Sequence, residues 1–209
     1  MIESKLPRVG TTIFTRMSAL SQECGAINLS QGFPDFDPPS GLADALGRAA
    51  AAGHNQYAPM AGLPRLRTAV ADQLARHRGV QADADQEITI VPGATEGIFC
   101  AVTATVRPGD EVIVFDPVYD SYEPAIELAG GKAVHVPLSP GNFRIDWDRV
   151  AGAITPRTRM IMLNSPHNPC GSTVSMDDLR QLEALAEKYD LLVCSDEVYE
   201  HLVYDGEQH

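Results

Sequence analysis

Positive charge is scarce in this sequence: 16 Lys and Arg stand against 28 Asp and Glu over 209 residues, a formal net charge of −12. A nucleic-acid backbone or an anionic lipid surface would be repelled by that balance at neutral pH. Long apolar runs are missing as well. No stretch approaches the roughly 20 consecutive apolar residues that span a bilayer, and the first residues lack the apolar stretch and small-residue cleavage site of a signal peptide. The sequence therefore predicts a cytoplasmic protein with neither nucleic acid nor membrane as partner. Cysteines are few and scattered, at positions 24, 100, 170 and 194, with no C-x-x-C, which argues against a disulfide framework and a thiolate zinc site. Reduced, mostly buried thiols are expected. There is no H-E-x-x-H, and His167 in its Pro-His-Asn-Pro turn has no second ligand at metal spacing, so no metal is expected. Neither G-x-G-x-x-G nor G-x-x-x-x-G-K-[ST] occurs, which lowers the nicotinamide and nucleoside-triphosphate readings.

What is present suffices for one sizeable core, since 44% of the residues are hydrophobic and 21% charged. Residues 1–40 are rich in Gly, Pro, Ser and Asn, and Gly32, Pro34, Pro38 and Pro39 punctuate a run that cannot hold a long helix. This reads as an arm lying over a domain that occupies 41–209. Apolar residues at three-to-four spacing predict two amphipathic helices, from Leu42 to Ala49 and from Leu63 to Leu74. After Asp85 the rhythm changes. Apolar runs of strand length at 88–91, 111–115, 133–136, 160–163 and 191–194 alternate with helical stretches at about 94–106, 119–129, 146–153 and 176–189. Ser175 with Asp178 supplies a start signal for the last helix. The alternation predicts an α/β fold, a mostly parallel sheet with helices on both faces.

Ligands of such sheets sit at the carboxyl ends of the strands, so the residues that follow each apolar run are where chemistry is sought. Gly93-Ala94-Thr95 ends one run and opens a helix. Small residues there let a phosphate approach free backbone N–H groups at the positive end of a helix dipole, although an ordinary turn capped by Thr has the same composition. Asp196 follows a buried strand and would bring a carboxylate to the ligand crevice, where a protonated heteroaromatic nitrogen is one partner and a structural cap or salt bridge the other reading. Tyr199 lies three residues on, Tyr119 offers a flat ring, and Asn168 an amide. Each is weak singly. Together they suit a phosphorylated pyridine with a ring oxygen, which describes pyridoxal phosphate.

At this point the sequence resembles the class I aminotransferases of PLP fold type I, most closely the methionine/aromatic group that is similar to kynurenine aminotransferase and glutamine transaminase K. Ordered blocks along the whole chain carry the resemblance: Ser4-Lys5-Leu6-Pro7, Thr11-Thr12-Ile13-Phe14, Asn28-Leu29-Ser30-Gln31-Gly32-Phe33-Pro34-Asp35-Phe36, Asn55-Gln56-Tyr57-Ala58-Pro59, Gly93-Ala94-Thr95-Glu96, Asp116-Pro117-Val118-Tyr119-Asp120-Ser121-Tyr122, Pro166-His167-Asn168-Pro169 and Ser195-Asp196-Glu197-Val198-Tyr199-Glu200-His201. The resemblance implies transfer of an amino group from a methionine, aromatic or glutamine-like amino acid to a 2-oxo acid. It implies that Asp196 pairs with the pyridine nitrogen, that Asn168 and Tyr199 bond the ring oxygen, that Tyr119 stacks on the ring, and that the backbone at Gly93, Ala94 and Thr95 holds the phosphate. It also implies that Gly32 and Asn168 meet the substrate carboxylate and that Tyr57 reaches the site of a neighbouring subunit in a homodimer. Phe14 and Tyr122 hint at an apolar or aromatic side-chain pocket.

The family's Schiff-base lysine lies a few dozen residues beyond the Asp-x-x-Tyr segment, and none of Lys5, Lys132 or Lys188 occupies that place. The resemblance thus implies a truncated large domain, about half an aminotransferase, inactive by itself. A PLP-dependent cysteine-S-conjugate carbon–sulfur β-lyase is the alternative, because the same blocks serve both reactions. An aminotransferase-like effector domain of a transcription regulator would want a basic winged helix ahead of the arm, and residues 1–27 are too short for one.

Overall fold

The computed structural model describes residues 3–7, 9–32, 34, 36–206 and 209; Phe33 and Asp35, within one block of the resemblance, lie outside the described residues. The chain divides into two compact units, one of residues 1–10 with 92–209 and one of residues 11–91.

The second unit is helical: α1 (Ile13–Cys24), α2 (Ser40–Ala51) and α3 (Pro64–Arg78). The helix α1 has no counterpart in the sequence reading. Its start is chemical, because the Thr12 hydroxyl accepts from the Thr15 backbone N–H. Pro64 opens α3, where its missing N–H has no partner to lose. Arg67 on α3 is buried, donating to the carbonyls of Gly62 and Ala84 and pairing with Asp85 at 3.0 Å. The expected strand at 88–91 does not form. Its one backbone bond outside regular structure runs from Ile90 N to Ala61 O, and a single bond makes no ladder.

The first unit carries the sheet. Its elements are α4 (Ala94–Thr105), β1 (Glu111–Asp116), α5 (Tyr122–Leu128), β2 (Lys132–Pro137), α6 (Trp147–Ala153), β3 (Thr158–Asn164), α7 (Met176–Tyr189) and β4 (Leu192–Asp196). The strands lie in the order β2-β1-β3-β4, every neighbouring pair parallel. Because side chains alternate across a strand, the central strands β1 and β3 feed two cores. Val112, Val114, Met160 and Met162 pack with Ile98, Val102, Tyr122 and Ile126 of α4 and α5. Ile113, Phe115, Ile161 and Leu163 pack with Trp147, Val150 and Leu182 of α6 and α7. Helices thus cover both faces, as the alternation of runs predicts.

Local chemistry fixes the ends. Ser175 and Asp178 form a reciprocal capping box at α7, and the Trp147 indole N–H donates to the same Asp178 at 2.9 Å, tying α6 to the start of α7. The thiols depart from expectation: Cys24 and Cys100 are exposed, and Cys170 and Cys194 are half-buried, all four free. Cys24 closes a helix with no buried residue, and Cys100 lies on the face of α4 opposite Ile98 and Val102. Among the described residues, no helix is long and apolar enough to cross a membrane, and no cluster of His, Cys, Asp or Glu could hold a metal ion.

Candidate active site

The parallel register of β3 and β4 sets the last residues of the two strands side by side, Asn164 against Asp196. Asn164 is buried and uses both ends of its amide: Nδ2 donates to the Asp196 carbonyl at 3.0 Å, and Oδ1 accepts from the Asn168 backbone N–H at 2.7 Å. One side chain therefore pins the loop after β3 to the end of β4. On that loop the Asn168 amide nitrogen lies 3.5 Å from the Tyr199 hydroxyl, at the long limit of a hydrogen bond.

Asp196 ends β4 with each carboxylate oxygen engaged differently. Oδ1 accepts from the Val198 backbone N–H at 3.2 Å, which turns the chain and brings Tyr199 round. Oδ2 accepts from the Tyr122 hydroxyl at 2.6 Å. No helix follows Asp196 among the described residues, so the contact at Oδ1 closes a turn and is not a helix cap. Burial first, and then the bond to Asp196, push the Tyr122 phenol well above its ordinary range, so it is a donor at any working pH.

The helix α4 starts beside these groups without a side-chain cap. Its N-cap is Gly93, at φ 101° and ψ 156°, a backbone that an L side chain rarely adopts, and nothing stands within 4 Å of where its Cβ would be. The N–H groups at the head of α4 have no partner within the helix and carry the positive end of its dipole.

These parts enclose a cleft of about 190 Å³ lined by Ala94, Thr95, Ile98, Tyr119, Asn164, Asn168, Asp196, Val198 and Tyr199. Six residues singled out in the sequence, Ala94, Thr95, Tyr119, Asn168, Asp196 and Tyr199, therefore share one wall or another of a single cleft, with Gly93 immediately before the first. Tyr57, Gly32 and Phe14 belong to the other unit, where Tyr57 and Gly32 are exposed and Phe14 is half-buried. The expectation for Tyr122 needs correction. It is a buried core residue that does not line the cleft, because its hydroxyl is spent on Asp196. Asn164, which lines the cleft, has no role in the sequence analysis.

None of the three lysines lines the cleft. Lys132 begins β2, at the opposite end of the sheet from the carboxyl ends, and Lys188 sits in the last turn of α7 with its Nζ 4.8 Å from the Tyr189 ring centroid.

His167 leads the same loop as Asn168. Its backbone N–H donates to Ser172 O at 2.8 Å and its carbonyl accepts from Gly171 N at 2.7 Å, while the buried Nδ1 has no partner among the described residues. Burial pulls its pKa below the ordinary imidazole value of 6.5. A base whose folded-state pKa is depressed adds stability above its unfolded pKa and loses it as pH falls through the folded one. The full-length protein should accordingly lose stability as the pH drops below about 6.5. Thermal melts of a His167→Leu variant should show a flatter pH dependence in that window; an unchanged slope would remove His167 as its source.

A family model for aminotransferase class I and II matches residues 25–209. The chain belongs to that family. It is 51% identical over 207 residues to the methionine aminotransferase of Escherichia coli, covering 99% of this chain and 54% of that protein. It is 38% identical over 209 residues to the kynurenine–oxoglutarate transaminase 1 of Mus musculus, covering 94% of this chain and 49% of that protein. Among solved structures, that of YbdL from Escherichia coli, identified with a methionine aminotransferase function, superposes with a TM-score of 0.96 at 50% identity, covering all of this chain and 55% of that one. The N-succinyldiaminopimelate aminotransferase of Mycobacterium tuberculosis superposes with a TM-score of 0.95 at 45% identity, again over all of this chain and 55% of that one. This aminotransferase-family chain thus spans about half the length of the relatives it matches. Membership implies pyridoxal phosphate, and the donors of the cleft fit it: uncapped N–H groups for a phosphate, an aromatic ring, an amide with a phenol, and a carboxylate.

Proposed function

We propose that the full-length protein carrying this chain is a pyridoxal-phosphate-dependent aminotransferase that moves an amino group from an amino acid to a 2-oxo acid. The carrying observation is the placement of Asp196, Asn168, Tyr199, Tyr119 and the head of α4 around one cleft in a chain of this family. Pyridoxal phosphate supplies an aldehyde that takes up the amino group and a ring that withdraws electrons from the substrate Cα. The Asp196 carboxylate would pair with the ring nitrogen and keep a proton there. Asn168 and Tyr199, close to each other, would hold the ring oxygen. The backbone N–H groups of Ala94 and Thr95 and the Thr95 hydroxyl hold the phosphate, and Gly93 keeps that approach clear of any Cβ. The Tyr119 ring is the platform against one ring face. The overall acidity of the chain does not oppose this, because the phosphate contact is made by local backbone dipoles.

Gly32 and Asn168 are assigned to the substrate carboxylate, and Phe14 to the substrate side chain. Tyr57 is assigned to the phosphate of a neighbouring subunit in a homodimer, which accords with its full exposure in this chain. The amine that anchors the cofactor is none of Lys5, Lys132 or Lys188. Methionine is the first donor to try, given the methionine aminotransferase of Escherichia coli among the relatives.

The test is an assay of the full-length protein loaded with cofactor and given methionine and 2-oxoglutarate. Equimolar glutamate and the 2-oxo acid of methionine should appear, with no free thiol. If a cysteine S-conjugate instead releases thiol and pyruvate faster than any donor yields its 2-oxo acid, the aminotransferase reading gives way to a β-lyase.

A further inference from the structure

Tyr122 stands outside the cleft, yet it touches two of the groups to which the proposed function gives work. It is the first residue of α5, buried in the core between α4, α5 and the sheet. Its hydroxyl crosses 74 residues of sequence to reach Asp196 Oδ2 at 2.6 Å, a distance typical of a hydroxyl bonded to a charged acceptor. Its ring meets that of Tyr119 edge-on, with centroids 5.7 Å apart and planes at 79°. Tyr119 and Asp196 both line the cleft; Tyr122 lies behind them.

We propose that Tyr122 is a positioning residue of this site, whose hydroxyl fixes the Asp196 carboxylate and whose ring braces the Tyr119 platform. Two separable mechanisms follow from the two contacts. The hydroxyl and the Val198 N–H hold opposite oxygens of Asp196, so the carboxylate is locked in rotation and presents its remaining lone pairs to the cleft in one orientation. The edge-on contact gives Tyr119 a wall to lean on, so its face stays turned toward the cleft. A carboxylate held by one oxygen alone would swing about its Cβ–Cγ bond. The ring nitrogen contact would then be made only part of the time.

This inference rests on the reading of Asp196 and Tyr119 as cofactor contacts, and the experiment is built to separate the two. Three variants of the full-length, cofactor-loaded protein are compared: Tyr122→Phe, which keeps the ring and loses the hydroxyl, Tyr122→Leu, which loses both, and Asp196→Asn. The readouts are the ¹⁵N resonance of ring-labelled pyridoxal phosphate, the visible circular dichroism of the bound cofactor, and kcat and KM measured separately. In Tyr122→Phe the ¹⁵N resonance should move away from its parent position and kcat should fall about tenfold to a hundredfold, as expected for a lost hydrogen bond to a charged group. KM and the visible dichroism should change little. In Tyr122→Leu the dichroism should fall as well, because Tyr119 loses its brace.

A Tyr122→Phe protein that melts with the parent and shows the parent ¹⁵N resonance and kcat would overturn the proposal, leaving Tyr122 as core packing. If Asp196→Asn also leaves the ¹⁵N resonance unmoved, the assignment of Asp196 fails instead. Should the Phe variant not fold, 3-fluorotyrosine incorporated in place of Tyr122 keeps the shape and makes the phenol a stronger donor. It should still displace the ¹⁵N resonance, and an unmoved resonance there overturns the proposal equally.

Discussion

Replacing Asp196 by alanine in the full-length protein should lower the rate of amino transfer by at least about 100-fold, the size of effect seen when one preorganised electrostatic group is removed from a reacting centre. The cofactor should remain bound, more weakly, because the head of α4, Asn168, Tyr199 and Tyr119 are untouched. The effect has two sources in this structure. The carboxylate proposed to face the ring nitrogen is gone, and the Tyr122 hydroxyl is left buried without its acceptor. The second source acts on stability, since an orphaned buried hydroxyl costs about 1–3 kcal/mol. Asp196→Asn separates them. Its side-chain oxygen can still accept from Tyr122, so the Asn variant should melt near the parent and yet lose most of the turnover. An Asn variant with turnover within a few-fold of the parent would show that the negative charge at 196 does no electrostatic work.

The strands of the first unit were legible because each contains most of an apolar run of four or five residues between turn signals. The two-sided packing follows from those runs being apolar at both odd and even positions. The run at 88–91 has the same composition and forms no strand, because pairing depends on a neighbour and composition carries no record of one. The same limit explains why the contact of Tyr122 with Asp196 was not foreseen. Tyr122 and Asp196 meet across 74 positions, and nothing local in either segment announces it; the one available signal is that Tyr119 and Tyr122, three apart, fall on one side of a helical turn. Asn164 carried a clearer sign. It directly follows the apolar run 160–163, and the parallel register sets it against Asp196, two residues past the run 191–194. Asp196, Asn168 and Tyr199 were legible as neighbours because each ends or follows an apolar run at the carboxyl edge of the sheet, where they line one cleft.

Asn164 makes the second large prediction. Its amide spans the gap between two strand ends, giving to the Asp196 carbonyl and taking from the Asn168 N–H, both bonds part-buried at the wall of the cleft. Asn164→Ala strands one acceptor and one donor at once. Each unsatisfied buried group costs about 1–3 kcal/mol, so the variant should lose roughly 2–5 kcal/mol of stability, with water entering from the cleft recovering part of it. The damage should also reach function, because Asn168 sits on the loop that the lost bond held. Cofactor affinity should drop with stability, whereas a substitution confined to the far core should lower stability alone. Asn164→Asp isolates the donor half. It keeps an acceptor for Asn168 N but repels the Asp196 carbonyl and places a second carboxylate beside that of Asp196, so it should bind cofactor less tightly than Asn164→Ala despite its closer shape. Equilibrium unfolding and cofactor titration of the two variants decide the matter: if both melt and bind as the parent does, the bridge between β3 and β4 contributes nothing to the site, and the alignment of Asn168 with Asp196 must come from the loop itself.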